Sequence, residues 1–115
     1  MSRLSNYLTE SKKPKALNEL FVQFNELVAS KKGKSLDAAI ARLAMVAELD
    51  AANLYEQMIP QATDKDLKEI LQDIANEEKV HVGEFEYILE KVDPQWDEYE
   101  DEGEEEAEEK TKWIN

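Results

Sequence analysis

Cysteine is absent from the 115 residues, and histidine occurs once. The first absence excludes disulfides, cysteine-ligated iron–sulfur clusters and any iron site held by four thiolates. Glycine and proline are scarce, three of each, and no β-branched run alternates with polar residues. Little in the chain therefore favours strands. No apolar stretch approaches the roughly 20 residues that a membrane-spanning helix needs. The residues from Met1 onward are polar and Lys-rich rather than an apolar run ending in small residues. No signal peptide is expected, and the chain reads as soluble, intracellular and cytoplasmic.

Basic charge is the other shortage. The net charge is −13, and residues 97–109 hold ten acids with no base, leaving about −3 for everything else. Such a balance argues against nucleic acid, whose binding needs Lys and Arg to displace counterions, and against an anionic membrane surface. A chain of this length forms one small domain, and only part of it carries core-forming residues, so association with other copies is expected.

The apolar residues that are present recur with helical period, which predicts an all-α fold. Residues 1–13 read as irregular. Pro14 opens a first helix with Leu17, Leu20, Phe21, Phe24, Leu27 and Val28 on one face, ending near Lys32-Gly33. Ser35 reads as the N-cap of a second, Ala-rich helix from Leu36 to Ile59, which Pro60 interrupts. Thr63 with Asp66 resembles a capping box for a third helix running to about Lys91, before Asp93-Pro94. The short Pro60–Ala62 connection makes the second and third helices antiparallel neighbours. The domain thus spans residues 14–96, with its core hairpin at 36–92. The like-charged block at 97–115 reads as a solvated, disordered tail.

Metal-ligand residues occupy positions where this pattern calls for leucines. Leu67, Leu71, Ile74, Glu78, His81, Phe85 and Ile88 are spaced four, three, four, three, four and three apart, the seam of a packed helix. Two of the seven are not apolar, and a carboxylate on a buried stripe needs a compensating charge. Glu78 and His81, three apart, lie on adjacent turns of one face and can grip one ion. On the second helix Glu48 and Tyr55 are seven apart, so the phenol projects nearly along the line of the carboxylate. The ferritin-like di-metal site takes one Glu from each of two helices and a Glu-x-x-His from each of two others. This chain holds half of that inventory. With His81 its only histidine, a complete site requires two chains about a two-fold axis. Two Glu48 and two Glu78 carboxylates then balance two divalent ions, and the carboxylate–imidazole set suits iron or manganese. Blander readings stand beside this one. His81 can be a hydrogen-bonded core histidine, Glu48 a partner for Lys or Arg from the first helix, and Tyr55 a packing residue. Glu77, Asp50 and Glu56 read as solvated-face charges.

The stretches Ala47-Glu48-Leu49-Asp50-Ala51-Ala52-Asn53-Leu54-Tyr55-Glu56-Gln57 and Asn76-Glu77-Glu78-Lys79-Val80-His81-Val82-Gly83-Glu84-Phe85 closely resemble the encapsulated ferritins of the ferritin-like and rubrerythrin-like superfamily. The resemblance covers about Leu36 to Trp96. It departs at Ala47 and Leu54, where some members carry an acid and a tryptophan. It implies a hairpin that dimerises into a four-helix bundle, and dimers that assemble into a ring, commonly a decamer. It implies two iron ions per dimer, with Glu48 as a bridging carboxylate, Glu78 and His81 as terminal ligands and Tyr55 beside them. The implied activity is ferroxidation, Fe(II) to Fe(III) with dioxygen, feeding storage in an encapsulin nanocompartment. Members commonly end in a peptide that docks on the capsid wall, and Thr111–Asn115 is loosely of that kind. The rival readings are a rubrerythrin-like peroxidase and a non-enzymatic helical interaction module.

Overall fold

A computed structural model of the chain describes residues 15–112. The expectations for residues 1–13, for Pro14 and for Trp113, Ile114 and Asn115 lie outside that range. Four α-helices and one 3-10 turn follow in order: α1 Lys15–Ser30, α2 Gly33–Met58, the turn Ile59–Gln61, α3 Lys65–Val92 and α4 Pro94–Thr111. No strand occurs among the described residues, and the expected all-α hairpin with an additional N-terminal helix is what the chain forms.

Local chemistry sets each boundary. α1 ends where Lys31 N–H reaches Leu27 O at 2.9 Å, and Gly33 then turns the chain at φ +59°. Only glycine enters that left-handed region without steric cost. Because the reversal falls there, α2 starts at Gly33 and its N-cap is the extended Lys32, not Ser35, which lies inside the first turn. At the other end Pro60 sits in the 3-10 turn, and Ala62 N–H bonds back to Met58 O and Ile59 O. The cap of α3, by contrast, falls one residue later than the sequence suggests. Asp64, not Thr63, occupies it, its carboxylate accepting from Leu67 N–H at 2.8 Å.

α2 and α3 form the hairpin, and α1 and α4 attach to it. The interface is thin. Of the seven buried hydrophobic residues described, five are alanines (Ala38, Ala39, Ala41, Ala52 and Ala75), and Leu89 is the one large side chain fully buried. Alanines let the helix axes approach but remove little area from water, at roughly 25 cal/mol per Å². Among the described residues fifteen large hydrophobic ones remain exposed, including Ile40, Leu54 and Met58 on α2 and Leu67, Ile70 and Ile88 on α3. The radius of gyration, 18.0 Å, exceeds the roughly 13 Å of a compact domain of this length.

Within the expected disordered tail the structure places a helix as far as Thr111. Residues 94–111 are helical. Asp93 caps α4 by accepting from Gln95 N–H at 3.2 Å, Pro94 takes the first turn, Asp97 complements the N-terminal dipole and Lys110 the C-terminal one. Glutamate is itself a strong helix former, and its charges here are exposed, where salt screens their repulsion. The helix is also anchored: Trp96 packs against Ala38, Ala41 and Leu89, and Arg42 reaches Asp93 at 3.3 Å.

Candidate metal centre

Glu48 comes from the middle of α2, and Glu78 and His81 from consecutive turns of α3. Their donor atoms all lie within 4.8 Å of one another. His81 Nδ1 is 3.4 Å from Glu48 Oε2 and 3.7 Å from Glu78 Oε2. The two carboxylate side chains are mostly covered, 21% and 18% exposed, while the imidazole is 43% exposed. Three residues singled out by their seam positions are therefore brought to one point by the hairpin. No lysine or arginine pairs with Glu48 among the residues whose side chains are described.

A ring nitrogen between two carboxylates marks a place for positive charge. Either a protonated imidazolium sits between them, or a cation binds all three groups with the imidazole neutral, and the two are in competition. Two oxygens and one nitrogen are donors that iron, manganese and zinc accept. The donor set thus fits a divalent metal. One chain supplies three donors, and the site opens toward solvent on the His81 side.

Tyr55 is half-buried on α2, two turns from Glu48, and no hydrogen bond joins its hydroxyl to the three ligands. Glu77 and Asp50 are exposed, and Glu56 forms an ion pair with Lys79 across the hairpin. The site lies within an apolar face. Ile40, Ala44, Ala47, Ala51, Leu54 and Met58 recur at four, three, four, three and four along α2, beside Glu48 and Tyr55.

A second carboxylate group escaped the sequence reading. Glu86 and Glu90 on α3 meet Glu100 on α4, all donor oxygens within 4.8 Å. A hydrogen bond with Glu100 raises the Glu86 pKa most, followed by burial and the charges of Glu100 and Glu90. The Glu86/Glu90 spacing of four was visible in sequence, but Glu100 joins them only because α4 is helical and folds back. No imidazole accompanies these three acids.

A helical hairpin with a Glu on one arm and Glu-x-x-His on the other carries half of the ligand inventory of the ferritin-like class. Within that class the chain belongs to the rubrerythrin family, whose model matches residues 39–115. It is 55% identical over 56 residues to a ferritin-like-encapsulin shell fusion protein of Pyrococcus furiosus, covering 49% of this chain and 16% of that one. It is 38% identical over 72 residues to the encapsulin nanocompartment cargo protein EncC of Myxococcus xanthus, covering 63% of this chain and 55% of that one. The chain thus spans about a sixth and about half of these relatives' lengths. No solved structure matches.

Proposed function

We propose that the protein is a ferroxidase, oxidising Fe(II) to Fe(III) with dioxygen at a site shared between two copies of the chain. The observation that carries this reading is the convergence of Glu48, Glu78 and His81 within 4.8 Å. Family membership supports it independently. Fe(II) is the substrate, and each ion gives one electron to dioxygen. The chain's part is electrostatic and geometric. Two copies bring four carboxylates, whose charge matches two divalent ions, and two imidazoles that complete the donor set without adding charge. Glu48, as a bridging carboxylate, and Glu78 and His81, as terminal ligands, would hold the two ions, and Tyr55 would stand beside them.

The fifteen exposed large hydrophobic residues support self-association into a four-helix bundle, and dimers of this kind are proposed to assemble further into a ring. The names of both relatives support an encapsulin shell as partner. Passage of iron into storage inside that shell, and residues 111–115 as the docking segment, are further parts of this proposal.

The test follows Fe(II) oxidation under air for the wild-type chain and for Glu78→Ala at equal concentration. Oxidation well above the protein-free rate that disappears in the variant is expected. Equal traces would overturn the reading and favour a helical interaction module. Because the family model is that of rubrerythrin, peroxide is the second oxidant to try. Faster oxidation by peroxide than by dioxygen would move the assignment to a peroxidase.

A further inference from the structure

α1 contributes no ligand to the metal centre, yet it builds an apolar groove beside it. Leu20, Phe21 and Phe24 of α1 and Ile40, Leu43 and Ala44 of α2, with Ala47 at the edge, line a cavity of about 350 Å³. Phe24 remains 43% exposed there. The α2 wall of this groove is the stripe that flanks Glu48, with Ala44 one turn before the ligand and Ala47 adjoining it. A hairpin that passes over Glu48 to complete the metal centre must also pass over the mouth of the groove.

The occupant is set by levels along the helix. A two-fold axis perpendicular to the helices at Glu48 pairs α2 with its own copy in antiparallel fashion, placing residues on the turn side of one copy opposite residues on the far side of the other. The groove lies on the far side, at Ile40 to Ala47. On the turn side the stripe offers Leu54 and Met58, 51% and 40% exposed. Leu54 stands six residues, about 9 Å, from Glu48, and Ile40 and Ala44 lie about 12 and 6 Å from it on the other side. Leu54 of the second copy therefore comes level with the middle of the groove. Charge selects the same face. The chain carries −13 overall, but no groove residue is charged, so two copies meet there with the least repulsion.

We propose that α1 is part of the dimer seam: a second copy seats its Leu54 in the groove between α1 and α2, with Met58 just beyond the Ile40 end, and the α1 helices close the flanks of the metal centre against water. This inference rests on the two-copy reading of the site given above. It adds a role for the helix that the ligand set leaves unexplained.

The absence of cysteine makes the test clean. Phe24→Cys and Leu54→Cys are prepared separately, mixed, and treated with a short bis-maleimide, while the mass of the unmodified chain is measured by sedimentation with and without Fe(II). A cross-linked dimer containing one of each variant, with little product from either alone, is the expected result. An unmodified dimer that oxidises iron, together with no mixed product, would overturn the groove assignment and leave the two-copy reading standing. A chain that stays monomeric under all conditions would overturn both. If Phe24→Cys lowers the helical circular dichroism signal, Leu20→Cys, on the same groove wall, paired with Leu54→Cys serves in its place under the same criteria.

Discussion

His81 Nδ1 lies 3.4 Å from Glu48 Oε2 although 33 residues separate them, and this contact joins the two arms of the hairpin at the proposed iron site. Replacing Glu48 by Gln keeps the shape and removes the charge. Iron binding by Glu48→Gln should fall at least tenfold and oxidation should drop toward the protein-free rate, as expected when a ligand charge is lost. Far-ultraviolet circular dichroism should be unchanged, since the side chain is only partly buried. An unaffected oxidation rate would remove Glu48 from the ligand set.

The Glu86–Glu100 contact makes the packing of α4 pH-dependent. The raised Glu86 pKa means that the folded form holds this proton more tightly than the unfolded chain, whose value is near 4.5. Its stabilising contribution is complete below that value and is lost as pH rises through the folded pKa. At pH 7 Glu86→Gln should therefore raise the melting midpoint, by about 2 °C for a surface effect of this kind. The difference should shrink at pH 4. Parallel pH profiles for the two proteins would count against it.

Leu89 is the only large side chain that is fully buried among the described residues, and α2, α3 and α4 meet around it. Truncation by Leu89→Ala should cost about 2–5 kcal/mol, a large share of the stability of so thin a core. Chemical denaturation would register this as a lower midpoint. A loss below about 1 kcal/mol would mean that the cluster is not what holds the helices together.

Asp93 serves both ends of a junction, capping α4 through Gln95 N–H and pairing with Arg42 of α2. Asp93→Ala should weaken α4 by about 1 kcal/mol, chiefly through the lost cap. Hydrogen exchange should quicken in residues 94–111 and leave the middle of α3 unchanged. Uniform quickening along the chain would show instead that the carboxylate supports the whole fold.

Particular residues explain what the sequence revealed. Glu78 and His81 interrupt a regular apolar seam, and the Pro60 turn sets Glu48 on the facing arm, but counting residues from the turn brings the three to similar levels only with some stagger. Tyr55 shares the line of Glu48, but helical phase alone does not say whether a hydroxyl will bond. The caps shifted because neighbouring residues compete: Asp64 displaces Thr63, and the reversal at Gly33 overrides Ser35. α4 was hidden because its charge block dominates composition. The Asp93-Pro94 pair was legible as a stop for α3 but equally begins the next helix, and the anchoring of Trp96 on Ala38, Ala41 and Leu89 depends on tertiary contacts.

The helical state of α4 changes how its far end is presented. Eighteen residues of helix extend about 27 Å in one heading. A flexible coil of the same length would wander over a root-mean-square distance of about 23 Å in every direction. The average reach is nearly the same, but a rod delivers its tip at Thr111 to one place instead of a diffuse cloud. Capture of that tip by another surface would therefore aim the hairpin as well as hold it. Each metal centre would then keep a set angle and stand-off from whatever takes up its product.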